Sequence, residues 1–405
     1  MSCKFGRSVY EKAKKLAEQG IDANQTVKIL FDTDDDGYNY GIGIVLDGQG
    51  KPMPTSTTLL EYIRTEIDNS QAGSYMNSNK LLARLKETVL SWQRIPQKYW
   101  DNFKLVLPSD AGTGAVKTAV ELSLMLNSNL NRIGLEELGW PAHKAIAKTC
   151  RVGFEEFPAE DVITGEDLLA LYQVGPMNTT GFVSGPEVKK ARAKAAASRD
   201  YSIVLDRAYS GFEFAGMLTD SSYDDIMKKS YELQLAPFIE AGAKFSIAIS
   251  PTKCFVSFAL RPCGMLLVYS PDDKDEKQLR NALNLVIRAR GSAFEHPATR
   301  GFVKAMINDI SRLEAEHEVA LKRVAQAEAL WRRFVKGTPI EYLYSNEYAG
   351  LFRNPKAKDE AAIYLYDEHI YPVFANGRCR QNVTGIPDDG KIAERHVKAF
   401  AEQCY

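Results

Sequence analysis

The chain has 405 residues, enough for more than one domain, with 45% hydrophobic and 25% charged residues, an ordinary globular composition. Its 51 Lys and Arg against 52 Asp and Glu leave a net charge of −1, so no global field draws in nucleic acid or an anionic membrane. No apolar run approaches the roughly 18 residues of a membrane span, and the start of the chain lacks a secretory pattern, so cytoplasm is the expected location.

In chain order, residues 7–20 read as an amphipathic helix ending at Gly20, and residues 26–31 as a short strand. Apolar runs at 104–107, 152–157, 202–205, 244–249 and 265–269 read as strands. Helical patterns fall at 114–126, 186–197, 223–240 and 277–290. This alternation predicts an α/β chain with a mainly parallel sheet wrapped by helices. A long helix follows over 301–334, then a strand at 361–366 and a last helix near 389–402. The reading is one large domain over residues 56–310. A smaller one is built from residues 1–55, which include an N-terminal arm, and residues 311–405.

The six cysteines form no Cys-x-x-Cys pair and the five histidines no ligand cluster, so reduced thiols and no metal site are expected. Asp32 to Gly37 opens like a calcium loop, but its twelfth position is Gly43 rather than Glu. Ala111 to Thr118 resembles a phosphate loop, yet Val116 stands where Gly must precede the lysine.

Four features carry chemistry, each at the end of a predicted strand, where open α/β sheets place their ligands. Small residues at Ala111-Gly112-Thr113-Gly114 open a helix whose free N–H groups could hold a phosphate. Asp206 ends an apolar strand with Tyr209 three residues on, a pair suited to a heterocycle with a basic nitrogen and a phenolic oxygen. Lys253 follows Ser250 at the edge of another apolar strand, where partial desolvation favours nucleophilic use, and Arg261 comes eight residues later. Arg380 sits among small residues, suited to a two-pronged grip on a carboxylate. Taken singly, each is weak, and the first three have ordinary readings as a strand-to-helix turn, a helix cap beside a core tyrosine, and a surface lysine after a strand.

Together they resemble the aspartate and aromatic aminotransferases, fold type I of the pyridoxal-phosphate enzymes. Asp206-x-Ala-Tyr209-x-Gly-Phe212, Ser250-x-x-Lys253 with Arg261, Asn178-Thr-Thr-Gly181, Gly139-Trp140-Pro-Ala-His143, Gly41-Ile-Gly43 and Arg380-Gln-Asn-Val-Thr-Gly385 carry the resemblance. It implies the three-layer fold of that family and pyridoxal 5'-phosphate held by Lys253 as a Schiff base. Lys253, Asp206 and Tyr209 would be catalytic. Asp206 would keep the ring nitrogen protonated, and Asn178 and Tyr209 would bond the phenolate. Trp140 would stack on the ring. Gly112, Thr113, Ser250 and Arg261 would hold the phosphate, with Tyr75 reaching over from the other subunit of a homodimer with shared active sites. Arg380 would grip the α-carboxylate beside the backbone of Gly43, with Trp140 and Asn178 also lining the substrate side. Arg288 would meet the distal carboxylate of an acidic substrate from across the dimer. The implied reaction is ping-pong transfer between an acidic or aromatic L-amino acid and a 2-oxo acid such as 2-oxoglutarate. The alternative is another reaction of the same fold type: β-elimination, racemisation or oxidation. Departures from the family pattern are Ala111 in place of Ser, Thr179 in place of Pro, no Asn-Pro-Pro after Arg288, and extra length near 219–230.

Overall fold

Runs of five or six apolar residues that are buried throughout bury both faces, and such runs pair as inner strands of a sheet covered on either side. The computed structural model describes residues 3–69, 75–258, 260–261, 263–291 and 294–405. The main sheet comprises β1 (Phe103–Ser109), β2 (Arg132–Glu136), β3 (Gly153–Phe157), β4 (Leu168–Gln173), β5 (Ile203–Arg207), β6 (Phe245–Ile249) and β7 (Gly264–Tyr269); β4 to β7 are buried throughout, whereas β3, at the edge, is mostly exposed. Ser292 and Ala293, in the segment after Arg288, lie outside the described residues.

The sheet runs β1-β7-β6-β5-β4-β2-β3. Pairing is parallel from β6 to β3, and β7 is antiparallel to both of its neighbours. The two-residue period of a strand divides the core. Ile203 and Leu205 pack with Tyr172 and Ile247 on one face, Val204 with Leu171 and Ala248 on the other. Each fully buried Val, Leu or Ile among them contributes about 1.5–3 kcal/mol. The carboxyl ends of β1, β4, β5 and β6 therefore share one edge of the sheet.

The two chain ends meet in a second layer. Tyr38–Asn39 pairs in parallel with Ile370–Tyr371, and Arg378–Asn382 pairs antiparallel with Val373–Ala375 and with Phe352–Arg353. Tyr40, Trp331, Tyr344 and Phe400 fill the core beneath.

Several expectations are corrected. Residues 26–31 belong to a helix, Ala23–Phe31, whose first turn is capped by the Asp22 carboxylate accepting from the N–H groups of Asn24 and Gln25. Residues 361–366 likewise form the helix Ala361–Asp367. Val27 and Leu30 of the first helix pack against Ala362 and Tyr366 of the second, so each buries a helical stripe where a strand had been expected. The long helix over 301–334 is two, Pro297–Asn308 and Ile310–Phe334, broken at Asp309. The segment 223–240 divides into Tyr223–Gln234 and Ala236–Glu240, with Pro237 lacking the N–H that would continue the first. Strands β2 and β4 were not anticipated. Helices at 111–126, 186–197, 275–291 and 390–403 match the sequence reading within a few residues.

Candidate active site

The shared sheet edge opens into a cavity of about 180 Å³ lined by Ala111, Gly112, Thr113, Trp140, Gln173, Asn178, Asp206, Ala208, Tyr209, Ser250, Thr252, Lys253 and Phe258. Eight residues singled out from the sequence meet there: Gly112, Thr113, Trp140, Asn178, Asp206, Tyr209, Ser250 and Lys253.

Each is set by its element. Asp206 is the penultimate residue of β5, and Arg207 after it is buried, its guanidinium bonded to Gln93 and Ser230. The Asp206 carboxylate lies 2.9 Å from His143 Nε2, both side chains almost wholly buried. Trp140 packs its ring edge-on to His143 at 5.3 Å. Asn178 Nδ2 donates to the Tyr209 hydroxyl at 2.8 Å. The Lys253 ammonium lies 5.0 Å from the centroid of the Tyr209 ring, inside the cavity. One wall thus presents a carboxylate, a phenol–amide pair and an amine to the same space.

Another part of the lining suits an anion. Ser250 and Thr252 hydroxyls share a hydrogen bond of 3.0 Å beside the first turn of the helix Ala111–Leu126. Gly112 is required there, because a Cβ on it would come within 2.3 Å of Ser250 Cβ. Helix N–H groups and two hydroxyls together make a cradle for a phosphate.

Arg380 stands on the strand of the second layer. Its Nη2 donates to Asn24 Oδ1 at 2.6 Å and to the carbonyl of Gly41 at 3.0 Å, and its guanidinium lies 4.8 Å from the Phe352 ring centroid. Burial lowers its pKa, with Tyr209 acting in the opposite sense, and its Nε is buried without a hydrogen-bond partner. Gly43 sits beside the same ring, 3.7 Å from Phe352 Cζ to the position of a Cβ. Asn382 Nδ2 fixes the intervening loop by donating to the carbonyls of Ile42 and Ile44, each at 2.7 Å.

Five of the thirteen expected residues do not line this cavity: Gly43 and Arg380, which stand beside Phe352, and Arg261, Arg288 and Tyr75. Arg261 and Arg288 are exposed, Arg288 on the helix Asp275–Gly291, and Tyr75 is 86% exposed against the ring of Phe294. Sequence reasoning missed the parts played by Gln173, Phe352 and Asn24, and by His143 as the partner of Asp206. Of these, only His143 lay in a quoted motif. Lys189 was missed as well. It is fully buried, and burial and the neighbouring Arg192 draw its pKa down to about 7, but it lies outside the cavity lining. Among the described residues no group of His, Cys, Asp and Glu could hold a metal ion, and no helix is long and apolar enough to cross a membrane.

No protein-family model matches the chain, and no curated protein does. Solved structures do. The aromatic-amino-acid aminotransferase of Burkholderia pseudomallei, solved covalently bound to pyridoxal phosphate, superposes with a TM-score of 0.76 at 17% identity, covering 94% of this chain and 96% of the other. The chain has the aminotransferase fold. The broad-specificity aminotransferase of Leishmania mexicana has a TM-score of 0.72 at 18% identity, covering 97% of this chain and 94% of the other. The aspartate aminotransferase of Plasmodium falciparum has a TM-score of 0.70 at 16% identity over 94% and 96%.

Proposed function

We propose that this protein is a pyridoxal-phosphate-dependent aminotransferase that moves an amino group between an acidic or aromatic L-amino acid and a 2-oxo acid such as 2-oxoglutarate. The observation that carries this reading is the meeting of Lys253, the Asp206–His143 pair and the Asn178–Tyr209 pair in one cavity. The neighbouring structures, named as aromatic, aspartate and broad-specificity aminotransferases, support the choice of reaction.

The residues fit the cofactor. Gly112 leaves room for the helix start to close on Ser250, and the hydroxyls of Thr113, Ser250 and Thr252 would bind its phosphate. When bound, pyridoxal phosphate supplies a carbonyl that condenses with amines and a ring that accepts the electron pair left on the α-carbon. Lys253 supplies the anchoring amine and then carries the proton away from the α-carbon on Nζ. Asp206, positioned by His143, keeps a proton on the ring nitrogen. Asn178 and Tyr209 would donate to the phenolate oxygen, and the Trp140 indole would pack against the ring. Arg380 holds the α-carboxylate, its guanidinium steadied against Phe352.

Arg288 and Tyr75 lie exposed, outside this chain's own cavity, which is the placement required of residues that complete a partner's site. A homodimer with shared active sites follows from that reading, with Arg288 pairing the distal carboxylate of aspartate or glutamate and Tyr75 reaching the phosphate.

A half-reaction tests the function. The reconstituted protein is mixed with aspartate, glutamate, phenylalanine or arginine, and the visible absorbance of the bound cofactor is followed. Bleaching with aspartate or glutamate and recovery with 2-oxoglutarate is the expected result. A persistent band with every amino acid, or bleaching that no 2-oxo acid reverses, would remove transamination and leave an elimination, racemisation or oxidation at the same site.

A further inference from the structure

The guanidinium of Arg380, proposed above to hold the substrate's α-carboxylate, is already occupied. Its Nη2 donates to the side-chain oxygen of Asn24 at 2.6 Å and to the main-chain oxygen of Gly41 at 3.0 Å. A guanidinium only donates, so the Asn24 amide presents its oxygen there. Nη2 carries two N–H groups, and the two acceptors take both. A planar guanidinium can grip a carboxylate with paired N–H groups in two ways, by Nε and Nη2 along its side or by Nη1 and Nη2 at its end. Each fork uses one N–H of Nη2. Neither fork is therefore free, although Nε itself is buried without a hydrogen-bond partner.

One acceptor has to leave before a carboxylate can be held at two points. The Gly41 carbonyl belongs to a fixed stretch of main chain. The N–H groups of Gly41 and Ile42 donate to Asn39 Oδ1, each at 3.0 Å, and Asn382 Nδ2 donates to the Ile42 carbonyl. Gly41 also packs so closely on the helix Ala23–Phe31 that a Cβ there would come within 2.6 Å of Val27 Cγ1. Asn24 is different. Its side chain is exposed in the first turn of that helix and, among the described residues, hydrogen-bonds Arg380 alone. Its main-chain N–H is pinned by Asp22 Oδ1 at 2.9 Å, so the amide can swing into water while the backbone stays. A carboxylate brings a full charge and two bonds where the amide brings a dipole and one, so the substrate wins the exchange.

We infer that Asn24 is a placeholder on Arg380: its side-chain oxygen fills the substrate's place on Nη2 in the empty site and is displaced by the α-carboxylate. This rests on the role given to Arg380 above. Asn24, a residue outside the cavity lining, thereby lowers the affinity for amino acids and 2-oxo acids alike.

The test is calorimetric titration of 2-oxoglutarate and of 3-phenylpropanoate into protein reconstituted with pyridoxal phosphate. Neither ligand carries an amine, so both bind without reacting, and together they cover the acidic and aromatic side chains. Asn24→Ala is expected to tighten binding by about threefold to tenfold, the range of one hydrogen bond no longer exchanged. Asn24→Asp sets a competing carboxylate on Nη2 and should weaken binding by about tenfold or more. A merely structural role would weaken binding in both variants, and opposite signs exclude it. Unchanged affinity in Asn24→Ala would mean that Asn24 stays in place beside a single-pronged grip, and weakened affinity that it helps to hold the ligand; either overturns the inference. If the affinities move as expected but no amino acid bleaches the bound cofactor, the reaction proposed above falls and the placeholder stands. If neither ligand binds the unaltered protein or Asn24→Ala, the carboxylate role of Arg380 is lost and the inference is overturned with it.

Discussion

Asp206 owes its position to being one residue short of the end of β5, with its carboxylate held at 2.9 Å from a buried His143. Asp206→Asn keeps the shape and removes the charge that would hold a proton on the ring nitrogen. Its kcat is expected to fall by about a hundredfold or more, with little change in the melting temperature, as measured by steady-state assay and calorimetry. Arg380→Lys replaces a planar fork by a point charge that cannot stack on Phe352. A loss in kcat/KM of about 2–3 kcal/mol, or some hundredfold, is expected for every amino-acid substrate, because all of them carry the α-carboxylate. At this scale the site was legible where residue type and motif agree. Lysine, aspartate, tyrosine and arginine with their small neighbours spell out their chemistry in sequence. Gln173 and Phe352 do not, since a glutamine at a strand end and a phenylalanine before an arginine are common, and only the fold shows what they face.

The elements around the site depend on two buried arrangements. Arg353 is fully buried, bonded to Glu328 at 2.8 Å and donating to the carbonyls of Leu343, Ala349, Gly350 and Phe352. Arg353→Met would leave the buried Glu328 with only the half-exposed Arg332, at 3.6 Å, as a counter-charge, and a loss of about 3 kcal/mol in denaturant unfolding is expected. His317 on the helix Ile310–Phe334 and His396 on the last helix are both buried, and burial pushes each pKa down to about 3. Around His317 stand Tyr223, whose hydroxyl is 2.9 Å from Nδ1, and the cations Arg94 and Arg207, which lower its pKa further. Around His396 stand Tyr40, at 2.9 Å from Nδ1, Tyr38 and Arg395. In the unfolded chain both take up a proton below about pH 6.5, and in the fold they do not, so the unfolded state binds more protons. Stability is therefore full above that value and falls as pH drops toward 3, by about 1.4 kcal/mol per unit for each histidine. Denaturant midpoints measured at about pH 7 and about pH 5 should show this slope, and His317→Gln should reduce it. The order of strands and helices through the middle of the chain was readable from apolar runs. Residues 26–31 misled because Thr, Val, Ile and Phe are also strand formers, and only the Asp22 cap and the packing on Ala361–Asp367 decide for a helix. The run Leu168–Gln173 was missed because a short apolar stretch carries no period of its own.

For the whole molecule, the sequence gives no view of what covers Arg288, Tyr75 and Arg261, which stand at the surface of a single chain. If the sites are shared, two inactive variants should rescue each other. Lys253→Ala lacks the anchoring amine, and Arg288→Asp repels acidic substrates, but a mixed dimer of the two holds one site with both native residues. Mixing them under conditions that exchange subunits should restore turnover of aspartate, and absence of any recovery would place Arg288 outside the partner's site. Bound cofactor should also raise the melting temperature with its concentration, as any ligand of the folded state does. The measurement closest to the central claim is covalent trapping. Apo-protein is reconstituted with pyridoxal phosphate, reduced with borohydride, digested and mapped by mass. The added mass should fall on the peptide that carries Lys253 and be lost from that peptide in Lys253→Ala. No label, or a label on another lysine such as the buried Lys189, would mean that Lys253 is not the anchoring amine.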